Sequence, residues 1–222
     1  MGMHFGLIAT KAPLSQLQSA FSEVWPQLEI ASSADRFSDA DAIWSWKSSN
    51  ERFVSAANWS KEYPGSEVYV LCHDGPWAIL MDFSYVLAGD EEALKKLSAK
   101  FGTVVSFVVE TAGGCAYFWY YESGQLRRMI QNADGKVTSS GTLLPEEGGI
   151  DVRAFYMDET EKLMGAFGLP RLEELPVVST AVAISTVDRT DYGQLAVIES
   201  NDTSLASQIK KPLVEILVSA HH

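Results

Sequence analysis

"TVVSFVVETAGGCAYFWYYESGQLRRMIQN", residues 103–132, is the stretch that decides the fold. It contains three runs in which β-branched, aromatic and other apolar residues recur, and such runs favour strands. The Ala-Gly-Gly sequence at 112–114 and the Ser-Gly pair at 123–124 separate the runs, because glycine adopts the backbone conformations that tight turns need. Short connections join neighbouring antiparallel strands, so the stretch predicts a three-stranded meander.

The sequence before the meander carries clear strand and helix signals. An Asp-Gly pair at 74–75 lies between two apolar runs and predicts a hairpin, and the second run, residues 77–83, is apolar enough to be buried on both sides. Residues 90–101 begin with acids, repeat leucine at helical spacing and precede a glycine, all of which favour a helix. The chain is therefore predicted to have an α+β fold, a twisted, mostly antiparallel sheet with three or more helices packed on it.

The same patterns predict the remaining elements. These are a strand at 4–10, a helix at 13–25, strands at 42–48 and 52–59, a helix at 159–167 and a hairpin of residues 181–187 and 194–199. Asp158 is expected to cap the helix at 159–167, with Glu161 as the reciprocal residue of a capping box. We expect one α+β domain over residues 1–175 with a C-terminal extension or small subdomain, residues 176–222, packed on it; a single domain is the alternative.

The second strand of the meander is aromatic on both sides. In an extended chain, side chains alternate, so Phe118 and its neighbours point one way while Tyr117, Trp119 and Tyr121 point the other. We assign Phe118 to the core. Tyrosine and tryptophan combine an apolar ring with a polar atom and are enriched at interfaces, which makes the second set a candidate recognition face. Packing of that set beneath a helix is the competing interpretation.

The charge of the chain excludes some partners and favours others. The formal net charge is −12, and residues 145–174 hold eight acids against three bases. Polyphosphate binding depends on clustered Lys and Arg, so nucleic acid is not an expected ligand. A basic protein is the expected partner, with Glu146, Glu147 and Asp151 as candidate contact residues. Solvated surface that maintains solubility is the competing explanation of these acids.

Signatures of catalysis and of metal binding are missing from the sequence. It contains no dinucleotide-binding, P-loop, nucleophile-elbow or zincin motif, so no catalytic residue, metal site or cofactor is predicted. Cys72 and Cys115 lie in apolar runs and are expected to be buried, reduced thiols. No apolar run approaches the length of a membrane span and the first residues do not resemble a signal peptide, so the expected location is the cytoplasm.

Residues 75–170 also contain an ordered set of motifs. They are WAILMDFS (77–84), LSAKFG (97–102), TVVSFVVE (103–110), ESGQLRR (122–128) and GTLLPEE (141–147). This order resembles a group of uncharacterised small bacterial domains of the immunity-protein type, which neutralise toxins delivered between competing bacteria. The resemblance implies a cytosolic, non-enzymatic protein that binds and inhibits a cognate toxin. It implies no particular functional residues.

One alternative belongs to a different functional class. A small-molecule-binding or enzymatic domain would need an aromatic-lined pocket with a few polar groups. Trp77, Tyr117 and Trp119 are the expected lining of such a pocket, and Asp82, the carboxylate at the end of an apolar run, is its expected polar group. A closed concavity would favour this alternative, whereas a flat exposed patch would favour a protein partner.

Overall fold

A computed structural model describes residues 4–50, 66–172 and 181–188. The strands are β1 (His4–Thr10), β2 (Leu28–Asp35), β3 (Ser66–Asp74), β4 (Trp77–Asp82), β5 (Thr103–Glu110), β6 (Cys115–Glu122), β7 (Gln125–Ala133), β8 (Lys136–Gly141) and β9 (Val182–Asp188). The helices are α1 (Leu14–Val24), α2 (Ala40–Asn50), α3 (Glu91–Phe101) and α4 (Met157–Ala166), with short 3-10 turns at Pro145–Glu147 and Val152–Ala154. The fold is α+β, as predicted.

The nine strands of the described residues form one sheet in the order β2-β9-β3-β4-β1-β5-β6-β7-β8. Every neighbouring pair is antiparallel. The predicted meander is confirmed as β5-β6-β7, and β8 continues it through the turn at Asp134 and Gly135. A bulge between Tyr120 and Tyr121 shifts the pairing of β6 with β7 by one residue. Bulges of this kind re-aim the side chains beside them.

The predicted hairpin around the Asp-Gly pair is the β3-β4 unit. Asp74 pairs with Trp77, and Gly75 between them has a φ of 52°, a left-handed conformation that favours glycine. β4 also pairs with β1, and all six of its residues are buried, as the apolar run predicts. The central strands therefore carry helices on both faces of the sheet.

Two helices match their sequence signals closely. α1 and α3 lie within a residue or two of the predicted ranges. At the start of α3 the Asp90 side chain accepts a hydrogen bond from Ala93 N (3.1 Å), and Gly102 ends the helix with a φ of 87°. Asp90 thereby satisfies one of the backbone N–H groups that have no partner inside a first helical turn.

Between β2 and β3 the prediction was wrong. Residues 42–48 were predicted as a strand, but they lie in helix α2, where Asp39 accepts a hydrogen bond from Ala42 N (2.8 Å). Burial of Ile43 among side chains of the sheet outweighs the strand-like alternation of Trp44 and Trp46 with Ser45 and Lys47. Strand β2 was not predicted. Residues 52–59 and 194–199, both predicted as strands, lie outside the described residues.

The predicted start of α4, with Asp158 as its cap, is wrong. The helix begins at Met157 rather than at 159, so Asp158 lies inside its first turn and does not cap it. Glu159 accepts a hydrogen bond from Asp151 N (2.8 Å) and links α4 to the segment that precedes it. The end is as predicted, because Gly168 has a φ of 72° and stops the helix before Pro170.

Strand β9 belongs to the interior of the sheet. Residues 181–187 were predicted as a strand of a C-terminal extension, and the strand is confirmed as Val182–Asp188. It lies between β2 and β3 and pairs with both. This part of the predicted extension is therefore a component of the main sheet and is not packed on its outside.

Each face of the sheet has its own core. On one face, here called the α1/α3 face, α1 and α3 pack on residues that include Ile8, Leu80 and Trp119. On the other, here called the α4 face, α4, Ile43 of α2 and Phe155 pack on residues that include Leu7, Phe107 and Phe118. The two layers of helices enclose both faces of the central strands.

Candidate functional site

The candidate recognition face of β6 lies inside the protein. Tyr117, Trp119 and Tyr121 share one side of the strand, as the alternation predicts, but only 6%, 5% and 4% of their surfaces are exposed. The reason is helix α3, which packs across β5, β6 and β7 on this side. The candidate recognition face is therefore a core face, which confirms the competing interpretation of packing beneath a helix, and Phe118 on the opposite side is core as predicted.

Polar atoms of these rings are held within the α1/α3 face. Tyr117 stacks on Trp119 with ring centroids 5.6 Å apart, and the Tyr121 hydroxyl donates to Glu91 at 3.4 Å. Burial raises the pKa of Tyr117, and burial together with Glu91 raises that of Tyr121. Trp119 Nε1 has no hydrogen-bond partner among the described residues. With at most 6% of each residue exposed, the three rings offer a partner little contact surface.

Glu147 is also unavailable for a partner. Its carboxylate accepts two hydrogen bonds from Arg128, from Nε and Nη2, each at 2.8 Å, and a third from Leu144 N at 3.0 Å. Both side chains are almost completely buried, at 6% and 0% exposure. The predicted contact role of Glu147 is therefore corrected: the residue fixes the segment after β8 to β7 through a bidentate ion pair.

The other two predicted acids remain at the surface. Glu146 is half-buried, and Asp151 is exposed and accepts a hydrogen bond from Arg153 N (3.0 Å). Asp158 lies beyond them at the start of α4 and is exposed as well. The name "acidic segment" is used below for residues 145–158. Glu147 holds its start to β7, and Glu159 accepts a hydrogen bond from Asp151 N in its middle, so the backbone that carries Glu146 and Asp151 is held in place.

An aromatic pocket of about 130 Å³ lies beside this segment. The pocket lies at one end of the sheet, beside the end of β1, the starts of β4 and β5, and the end of α4. The lining residues are Lys11, Pro76, Trp77, Thr103, Tyr120, Glu146, Ala166 and Phe167. Most of these positions are distant in sequence, so only the folded sheet brings them together.

Three rings form the walls of the aromatic pocket. Phe167 packs edge-on against Trp77 (centroids 6.2 Å apart) and stacks with Tyr120 (6.3 Å, planes 21° apart). The Trp77 indole N–H donates to the Phe167 carbonyl at 2.8 Å, which fixes both residues. Tyr120 is only half-buried, unlike Trp119 beside it on β6. The rings are therefore held in place; Tyr120 and Phe167 stay partly exposed, whereas Trp77 is only 2% exposed.

Charged and polar groups lie at the mouth of the aromatic pocket. Lys11 is exposed, and its Nζ lies 5.3 Å from the centroid of the Trp77 ring, a distance at which ring faces attract cations. Glu146 supplies a carboxylate. The Tyr120 hydroxyl is hydrogen-bonded with Thr103, and burial followed by Glu122 raises the pKa of Tyr120. The site therefore combines aromatic surface with one cation and one anion.

The small-molecule alternative named Trp77 as pocket lining, and Trp77 does line the aromatic pocket. Tyr117, Trp119 and Asp82 do not. Asp82 is fully buried, and its carboxylate accepts hydrogen bonds from Ser84 N, Ser84 Oγ, Leu87 N and Ala88 N. Desolvation raises the pKa of Asp82, and these four donors oppose that rise. Asp82 organises the loop after β4.

The cysteines behave as predicted. Both Cys72 and Cys115 are buried and free. Burial raises the pKa of the Cys72 thiol, which disfavours the nucleophilic thiolate. Among the described residues, no group of three or more His, Cys, Asp and Glu side chains is arranged to hold a metal ion.

Comparison of the chain with protein-family models, curated proteins and solved structures found no match. Within the described part of the chain, no helix has both the length and the apolar character needed to cross a bilayer.

Proposed function

We propose that this protein is a non-enzymatic, cytoplasmic binding protein of the immunity type, which binds a basic toxin domain and inhibits it. The supporting observation is the position of the acidic segment, which is fixed to the sheet and borders the aromatic pocket. Carboxylates steer a basic partner and a concave aromatic surface gives it an anchor point. The resemblance of residues 75–170 to immunity-type domains agrees with this role.

Rigidity of the acidic segment supports binding. The Arg128–Glu147 ion pair lies inside the protein, and Asn132 Nδ2 donates to the Phe155 carbonyl at 2.7 Å just before α4. Two contacts thus hold an otherwise irregular stretch against β7. A surface that is ordered before binding loses less conformational entropy on association than a flexible one.

Charge also favours a basic protein as the partner. The net charge of −12 repels nucleic acid and attracts basic surfaces. Glu146, Asp151 and Asp158 are the surface acids of the acidic segment, and Arg153 is its only base. The sign of the field at this surface is therefore the same as that of the whole chain.

The second candidate is a protein that binds a small molecule. The specific observation in its favour is the aromatic pocket itself, with Trp77 as a wall. Pockets that enclose drug-sized ligands commonly measure about 300–1,000 Å³. The volume of about 130 Å³ is smaller and suits one side chain of a larger partner better than an enclosed metabolite.

The proposal is tested by capture from native cells followed by neutralisation. The protein is used as bait, and each captured basic protein is expressed in a bacterial host with and without it. The test variant neutralises the acidic segment with Glu146→Gln, Asp151→Asn and Asp158→Asn. The control neutralises three remote acids with Glu23→Gln, Asp35→Asn and Glu92→Gln. Each set changes the net charge from −12 to −9.

We expect a captured protein that arrests growth alone and is neutralised by the wild type and by the control. The test variant should bind it at least about tenfold more weakly, since charge pairs at an interface contribute both to association rate and to affinity. Capture of no toxic protein would contradict the proposal. Equal loss of affinity in both variants would show that only net charge matters, and not the acidic segment.

A further inference from the structure

We propose that the aromatic pocket receives an arginine side chain of the basic partner, and that Lys11 occupies the arginine's position in the free protein. This inference rests on the proposed function, because it names the chemistry by which the partner is recognised. It concerns residues on four separate parts of the chain: Lys11, Trp77, Tyr120 and Phe167.

The walls of the aromatic pocket select a flat cation. Trp77, Tyr120 and Phe167 present ring surface to a space of about 130 Å³. Aromatic faces attract cations electrostatically, and the planar guanidinium of arginine also stacks on them. Arginine is enriched at the centres of protein interfaces for the same reason. A single arginine side chain therefore matches the size and the chemistry of the walls.

A cation, the ammonium group of Lys11, already lies against the Trp77 wall of the aromatic pocket. Its ammonium lies 5.3 Å from the centroid of Trp77, directly after β1 ends at Thr10. The side chain is exposed, so it can leave the ring for water at little cost. An arriving guanidinium would take over the Trp77 face, and the ammonium of Lys11 would move into solvent.

The charges around the aromatic pocket favour a cation over an anion. Glu146 contributes a carboxylate to the lining and also raises the pKa of Tyr120, whereas nearby Glu122 is paired with Arg127 (Oε2 to Nε, 3.5 Å). The chain as a whole carries −12. Once Lys11 swings away, the lining retains only the negative charge of Glu146, which an arginine can pair with. A carboxylate ligand would instead face a like charge.

The experiment uses N-acetyl-arginine methylamide as the probe and N-acetyl-citrulline methylamide as its neutral isostere. Binding to the full chain is followed by NMR at the indole N–H of Trp77, which donates to the Phe167 carbonyl. The arginine probe should shift this signal with saturation, and the citrulline probe should not. Equal shifts with both compounds would overturn the proposal, as would tighter binding of the matching lysine derivative.

Two variants give opposite predictions. Lys11→Met keeps the side chain but removes the internal cation, so affinity for the arginine probe should rise about two- to fivefold, the change expected from an exposed cation–π contact. Glu146→Gln should lower it by a similar factor. Lys100→Met, on the exposed side of α3, is the matched control and should have no effect. Weaker binding in Lys11→Met would show that Lys11 binds the ligand instead of holding its place.

A competition step separates this inference from the proposed function. The arginine probe should displace the captured partner from the wild type. If the probe binds the aromatic pocket but leaves the partner in place, the pocket accepts a free guanidinium compound and the side-chain proposal is wrong, while the acidic segment retains its proposed role. If the probe binds and no basic toxin is ever captured, the proposed function fails and the preference of the pocket for arginine stands alone.

Discussion

The two sides of strand β6 carry neighbouring aromatic residues that differ in their exposure to solvent. Trp119 on the α1/α3 face is 5% exposed, whereas Tyr120, the next residue, is half-buried and lines the aromatic pocket on the α4 face. The difference comes from what covers each side. Helix α3 connects to β5 through Gly102 alone and lies directly across the strands.

The cover on the α4 face is built differently. It consists of irregular chain and α4, fixed to β7 by the Arg128–Glu147 ion pair and by the hydrogen bond from Asn132 to the Phe155 carbonyl, and Phe167 at the end of α4 reaches the aromatic pocket. A tightly connected helix seals a face, while a long covering segment leaves a gap at its far end. Exposure of the aromatic side chains of β6 is therefore decided by the length and attachment of the segment that covers them, not by the strand itself.

The largest expected effect is on the sealed side. Trp119→Ala should lower the free energy of unfolding by about 4 kcal/mol, because it leaves a cavity beneath α3. Tyr120→Ala should lower it by only about 1 to 2 kcal/mol, since that ring is half-exposed. Urea denaturation of both variants measures the difference. Equal decreases in the free energy of unfolding would contradict the proposed difference between the two sides of β6.

The next effect concerns the attachment of the covering segment. Arg128→Met leaves the Glu147 carboxylate buried without its ion pair and should cost about 3 kcal/mol in chemical denaturation. The double variant Arg128→Met with Glu147→Met removes both charges and should regain stability to within about 1 kcal/mol of the wild type. Its affinity for the arginine probe should still fall, because Glu146 loses its fixed position beside Glu147.

Two outcomes for the same pair of residues would contradict this explanation. Should the double variant be as unstable as Arg128→Met, hydrogen bonds to Leu144 N and to the Ser140 carbonyl, rather than the pairing of charges, hold the segment. Should Arg128→Met be as stable as the wild type, the segment is not fixed at this point, and the explanation given for the open side is wrong.

The smallest effect is a difference in alkaline titration. Burial raises the pKa values of Tyr117 and Tyr121 above the ordinary value of 10. Above pH 10 the unfolded chain loses these protons while the folded protein keeps them, so stability falls as pH rises. Replacing both tyrosines with phenylalanine should reduce this loss of stability, which is measured by denaturation between pH 9 and about 11. Tyr120→Phe should change this loss of stability less. An equal change would contradict the distinction between the two buried tyrosines and the half-buried Tyr120.

Much of the fold was predictable because its signals are local. The acids, leucines and glycine of 90–101 specify α3 within a few residues, and the glycine-containing turns at 112–114 and 123–124 specify the meander. Helix α2 was not predictable in the same way. The alternation of Trp44 and Trp46 with Ser45 and Lys47 fits a strand, and the start signals of the helix are only Asp39, which accepts from Ala42 N, and Asp41 in the first turn.

The candidate site was less predictable than the fold. Alternation gave the correct grouping of Tyr117, Trp119 and Tyr121, but whether a helix covers them depends on how α3 packs, which no local pattern specifies. Phe167 and Trp77 meet across 90 residues of sequence. Lys11, Tyr120 and Phe167 were therefore missed, whereas Trp77 and Glu146 had been singled out as possible binding residues for other reasons.

The place of β9 in the sheet affects how the protein can be made. A ribosome releases Val182–Asp188 after every other described strand, yet this strand is the only described partner of β2, which is finished near the start of synthesis. During translation β2 must wait unpaired while β3 to β8 assemble, and closure of that edge is the expected late step. A chain stalled before residue 182 would carry an open sheet margin, which is a natural target for chaperones and proteases.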